Sequence, residues 1–213
     1  MAAQISSADP REISPEKSTT IEASLAALRR RFPRAILDRY LDTIPSLGDR
    51  VFLAPGAALV GDVECGEDVS FWYGAVARGD IAPIRIGART NIQDGTVLHV
   101  GDHTPCIIGA DVVIGHRVMA HGCQVEDGCL IGMQATLLDD CVIGRGSIIG
   151  AGTLVTQRTI IPPFSLVLGM PGKIVRSLPV STFEDNRALA AKYQRLKENY
   201  RLALVSDGRL NQP

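Results

Sequence analysis

The sequence predicts an all-β solenoid, a parallel β-helix with an α-helix packed along it, and three observations carry that reading. Large aliphatic residues recur as Ile86, Ile92, Leu98, Ile108, Ile114, Ala120, Val125, Ile131, Leu137, Ile143, Ile149 and Val155, most of them six residues apart. The side chain two places earlier is small, as at Cys106, Val118, Cys123, Cys129, Ala135, Cys141 and Ser147, and glycine often follows, as at Gly87, Gly109, Gly115 and Gly132. Apolar residues make up 46% of the chain but aromatics only 5%. A narrow interior filled by stacked aliphatic side chains accounts for that mismatch. A six-residue period held this long gives one short strand per repeat and three repeats per coil.

Residues 1–18 are polar, proline-bearing and without period, so disorder is expected there. Thr19 and Glu22 have capping-box spacing. Ile21, Leu25 and Leu28 follow at helical spacing, which predicts a short amphipathic helix before Pro33. The coils are expected from near Val51 to Val155 or slightly beyond, roughly six or seven of them at ~18 residues each. The step from Leu98 to Ile108 is ten residues, so part of VGDHTPC bulges out beside His99. Pro162 and Pro163 interrupt the pattern, and GMPGK (169–173) reads as the closing turn. Ser181 and Glu184 form a second capping box. Leu189, Tyr193, Leu196, Tyr200 and Leu204 make an apolar stripe, predicting a helix from about 182 to 205 against the coil. The domain plan is an N-terminal extension (1–35), a β-helix (36–175) and a C-terminal helix with its tail (176–213).

Twenty-two basic residues against 23 acidic ones leave no electrostatic footprint for nucleic acid or an anionic membrane. No apolar run approaches the ~18 residues that span a bilayer. The first residues lack a signal-peptide pattern, and a cytoplasmic protein is expected. Of five cysteines, four (Cys106, Cys123, Cys129, Cys141) hold the small-residue place of the repeat. They read as reduced, packed thiols.

The histidines are read by phase. His99 follows Leu98 and His121 follows Ala120, so both hold one place in the repeat, one coil and about 4.8 Å apart. His116 follows Ile114 by two residues and belongs to a neighbouring face. Taken singly, each is a surface or packing residue. Taken as a set, they suit a metal, for which neutral imidazole is a common ligand and three protein ligands leave one place for water. A neighbouring chain would then supply the third ring. Zinc is the default ion, with iron or cobalt also compatible. Gln93 should lie near His116, either orienting a small oxyanion or bonding its own coil. Arg78 is placed to fork onto a carboxylate, of a substrate or of Asp94. His103, in the bulge, is a solvated loop residue or a proton shuttle.

The segments RGD-x5-IGARTNIQDGTVLH, IGH-x4-HGC, GMQATLLDD and GMPGK resemble the gamma-class carbonic anhydrase family over roughly 36–205. The resemblance implies a left-handed coil and a homotrimer with three intersubunit metal sites. Carbon dioxide would be reversibly hydrated to bicarbonate there. His99 and His121 would come from one chain and His116 from its neighbour. It further implies an Arg78–Asp94 ion pair between subunits, Gln93 against the metal-bound solvent, Asp80 behind the ligands, and Tyr193 near the metal or simply docking its helix. Two features depart from the most active members: Ile81 follows Asp80 where they carry an acidic residue, and the short loop after His99 lacks a shuttling glutamate. Two alternatives stand beside this reading. One is an acyltransferase using coenzyme A, whose chemistry needs a single histidine base. The other is a low-activity scaffold or assembly protein that retains a metal site.

Overall fold

A computed structural model describes residues 13–206. Its centre is a parallel solenoid of about seven turns that matches a left-handed β-helix with helical appendages. One wall is an eight-stranded sheet from Phe52–Leu53 to Gly172–Ser177. The other two walls form one twelve-stranded sheet, joined where the long strands Ala58–Cys65 and Val76–Ile86 run round a corner. Successive coils pair in register, Val113 against both Asn91 and Leu130, and Gln124 against both Ile107 and Val142. The recurrent aliphatic residues Leu98, Ile114, Ala120, Ile131, Leu137, Ile143 and Ile149 are wholly buried in one continuous core. Ile131→Ala should therefore lower stability by about 2–5 kcal/mol through lost contacts and a cavity, read as a lower denaturant midpoint at unchanged m.

The recurrent glycines answer to crowding between rungs. A Cβ on Gly87 would lie 2.4 Å from the Ala110 nitrogen of the next coil. All five cysteines are buried and unpaired. Burial pushes the Cys129 thiol up to about 12 and raises that of Cys65 too, so these groups pack as neutral hydrophobes.

The ordered coil is longer than its clearest repeats. Ile36 already pairs with Ala58, and Ile148 pairs with Leu166. Pro162 and Pro163 do not end the ladder, because they sit at a corner just before the turning residue Phe164 (φ 56°). The chain reverses at Gly169–Gly172, where the last strand turns antiparallel, as the GMPGK motif suggests.

Helix α1 spans Pro15–Arg31, five residues longer at its start than the Thr19/Glu22 box indicates. The Ser14 hydroxyl accepts from the Lys17 N–H, and Pro15 takes the first turn, where its missing N–H costs nothing. Thr19 instead donates to the Pro15 carbonyl, and Glu22 pairs with Arg39. Order thus reaches back into the stretch expected to be disordered; residues 1–12 lie outside the described part. Leu25 and Phe32 cover the first coil.

Helix α2, Thr182–Ser206, runs back along the solenoid from later coils to the first. Phe183 lies over Gly128, where a Cβ would meet the ring at 2.4 Å. Farther along, Asn186 donates to the Gly128 carbonyl, Gln194 to that of Arg89, and Lys197 to that of Arg50. Its buried face follows the apolar stripe only in part: the stripe's Leu204 is covered together with Asn186, Ala190 and Lys197, whereas Leu196 and Tyr200 remain over a third exposed. The corner beneath offers carbonyls and carboxylates, so amides and an ammonium dock better than leucines.

Candidate metal centre

His99 and His121 face each other across paired rungs. The strands Val97–His99 and Met119–His121 are in register with His121 opposite His99, which is the phase the sequence predicts. His99 Nδ1 stands 3.1 Å from His121 Nε2. Each ring is held at its other nitrogen by a carboxylate: His99 Nε2 lies 3.3 Å from Asp80 Oδ1, and His121 Nδ1 lies 2.6 Å from Asp139 Oδ1. Were those carboxylates to accept the ring protons, the two facing nitrogens would both present lone pairs. Lone pairs at that distance repel unless a cation lies between them. Two nitrogens bound at ~2.05 Å to a tetrahedral metal would stand about 3.3 Å apart, close to the gap observed. The donor set fits a metal.

Electrostatics favour the same state. Burial, then the Arg78 charge, hold His99 below the ordinary imidazole value, so it stays neutral near pH 7. Burial alone would raise the Asp80 carboxyl, but the Ile81 N–H and the Arg78 guanidinium outweigh it and hold it below the usual carboxylate range. Arg78 makes its ion pair with Asp80 in the same chain.

His116 stands apart, at the corner after Val113–Ile114, with Nδ1 2.8 Å from Asp94 Oδ2 and its side chain 43% exposed. Among the described residues, no three potential ligands converge within one chain. Gln93 is buried beside that corner, its N–H donating to the Ile114 carbonyl. Tyr193 is half-buried on α2, edge-on to Trp72 at 6.4 Å between ring centres and packed with Phe52 and Leu204. His103 is exposed in the bulge, which closes on itself through paired Gly101 and Thr104 backbones.

The sequence reading passed over Asp139 and Gln157. Asp139 holds His121, and Gln157 donates to its second oxygen at 3.4 Å. Both were findable by phase, since His121, Asp139 and Gln157 follow one another at a coil's spacing. An aspartate before a turn reads first as a turn former.

The family described as bacterial transferase hexapeptide (six repeats) matches residues 122–157. The chain is 44% identical over 143 residues to gamma carbonic anhydrase 2, mitochondrial, of Arabidopsis thaliana, covering 64% of itself and 51% of that protein. It thus spans about half the length of the Arabidopsis relatives it matches. It is 39% identical over 162 residues to the carbonic anhydrase of Geobacillus kaustophilus, covering 76% of itself and 89% of that protein. A solved hexapeptide transferase family protein from Anaplasma phagocytophilum superposes with TM-score 0.73 at 36% identity, over 78% of this chain and 98% of that one. Identity at this level, carried through a shared coil and most of the Geobacillus protein, makes the chain a member of the gamma carbonic anhydrase family.

Proposed function

We propose that the protein catalyses the reversible hydration of carbon dioxide to bicarbonate at zinc sites shared between subunits of a homotrimer. The observation that carries this is the pair of imidazole nitrogens facing each other at 3.1 Å, each ring held from behind by a carboxylate. His99 and His121 would hold the ion from one side and His116, from a neighbouring chain, from the other. When bound, a divalent ion lowers the pKa of water at the site, so that hydroxide is available near neutral pH.

The chain's own residues do the rest. Asp80 and Asp139 hold the two rings aimed from behind. Gln93, beside the His116 corner, orients the small oxyanion with its amide. Arg78 and Asp94 join subunits as an ion pair, which frees His116 from Asp94 to turn toward the shared site. Tyr193 supports α2 against Trp72 and thereby the wall that carries Gln93. Each hydration releases one proton, and the loop after His99 must pass it to solvent. That loop holds no glutamate but carries Asp102 and His103, and we assign the proton to His103, whose imidazole can both accept and donate it. His103→Ala should lower kcat in weak buffer and be rescued by added imidazole; an unchanged pH–rate profile would remove His103 from this role. Five unpaired buried thiols support a reducing compartment, and we place the protein in the cytoplasm.

The test is direct. Purified protein should contain close to one zinc per chain and hydrate carbon dioxide in a stopped-flow assay. A metal-free protein that transfers acyl groups from coenzyme A would overturn the reading, and a metal-loaded but inactive one would leave the scaffold alternative.

A further inference from the structure

We infer that Asp139, steadied by Gln157, is a positioning residue that fixes His121 as its Nδ1–H tautomer and so leaves Nε2 bare on the side facing His99. The side chains form one continuous column: Asp80, His99, His121, Asp139 and Gln157, linked by contacts of 3.3, 3.1, 2.6 and 3.4 Å. Parallel rungs about 4.8 Å apart let each side chain reach the next. The two carboxylate oxygens of Asp139 have separate partners, Oδ1 accepting from His121 Nδ1 and Oδ2 from Gln157 Nε2. That division orients the carboxylate and, through it, the ring.

Backbone space has been cleared for this contact. A Cβ on Gly122 would sit 2.4 Å from Asp139 Oδ1, and one on Gly101 would sit 2.8 Å from the same oxygen. Gly122 also accepts from the Asp140 N–H at 2.7 Å, which ties the corner bearing Asp139 to the rung bearing His121. The glycine that follows His121 thus serves the carboxylate behind the ring. In water a neutral imidazole favours the proton on Nε2, the nitrogen that here must be free. A fixed acceptor at Nδ1 reverses that preference. The consequence for affinity rests on the metal reading of the preceding section, whereas the tautomer does not.

The experiment joins two readouts on the full-length protein. Nitrogen-15 imidazole NMR of the metal-free protein should show His121 as Nδ1–H, and Asp139→Ala should return it to Nε2–H. Zinc affinity, measured by competition with a chromophoric chelator, should fall about 10–100-fold in Asp139→Ala. The loss should be smaller in Gln157→Ala and in Asp139→Asn, which keeps an acceptor oxygen. Asp139→Asn preserves shape and carries the test should the alanine variant fail to fold. A wild-type His121 protonated on Nε2, or wild-type zinc affinity in a folded Asp139→Ala protein, would overturn the inference. If the wild type binds no zinc yet shows the tautomer switch, the positioning role stands and the metal reading fails.

Discussion

A His116→Ala protein is expected to purify without metal and without hydration activity while its coil stays intact. His116 lies at an exposed corner, so its removal leaves the continuous core untouched. Circular dichroism and thermal melting of the metal-free protein should match wild type, while metal analysis shows occupancy gone. The stronger form of the prediction uses two variants. A His99→Ala chain keeps His116, and a His116→Ala chain keeps His99 and His121. Neither alone can build a site whose ligands come from two subunits. Unfolded together and refolded as mixed trimers, they should regain one intact interface in each mixed assembly. No recovery of metal would argue against shared ligands, and full occupancy of His116→Ala alone would place the site within a single chain.

Asp68→Asn should be the most destabilising polar substitution, because it strands a buried ammonium. Lys197 is 1% exposed, and its Nζ donates to Asp68 Oδ1 at 2.8 Å and to the Arg50 carbonyl at 2.7 Å. Burial already holds the Lys197 ammonium below its ordinary value, with Asp68 opposing the shift. Removing the carboxylate charge should cost about 3 kcal/mol, the low end for breaking a buried pair because Asp68 keeps some exposure. Asparagine tolerates the left-handed backbone at that corner (φ 60°), so the effect is one of charge. The pH dependence follows from the direction of the Asp68 shift. Burial alone would raise its carboxyl, but hydrogen bonds from Arg50 and Lys197 outweigh it and hold it below the unfolded value. Its contribution is therefore complete above about pH 5 and is lost as pH falls through the folded value. Wild type and Asp68→Asn should differ in denaturant midpoint at pH 7, and the gap should narrow steadily as pH falls below about 5 toward the folded value, at matched protein concentration. A difference that persists unchanged at pH 3 would point to shape rather than charge.

What could be read in advance follows from the repeat. A ladder with one residue spacing converts position in the sequence into position in space, so the pairing of His99 with His121 and the separation of His116 were both legible. The same spacing places Asp139 and Gln157 on the His121 wall, but an aspartate at a turn reads first as a turn former. The helices were harder, because neither follows the period. The start of α1 depends on Ser14 and Pro15, which in a polar stretch resemble a loop. The docking face of α2 depends on which carbonyls and carboxylates the coil turns outward. No pattern within residues 182–206 contains that information. Gly122 was visible as a glycine, but its purpose needed Asp139 beside it.

Because α2 returns to the first coil, with Lys197 bonding Arg50 across 147 residues of sequence, the solenoid is clasped end to end. An open stack of repeats can fray one rung at a time from its last coil. Here the closing segment is stapled to the opening one, so the terminal rungs cannot peel away while the clasp holds. Melting should accordingly be all-or-none, and the latest-made part of a nascent chain would complete the earliest.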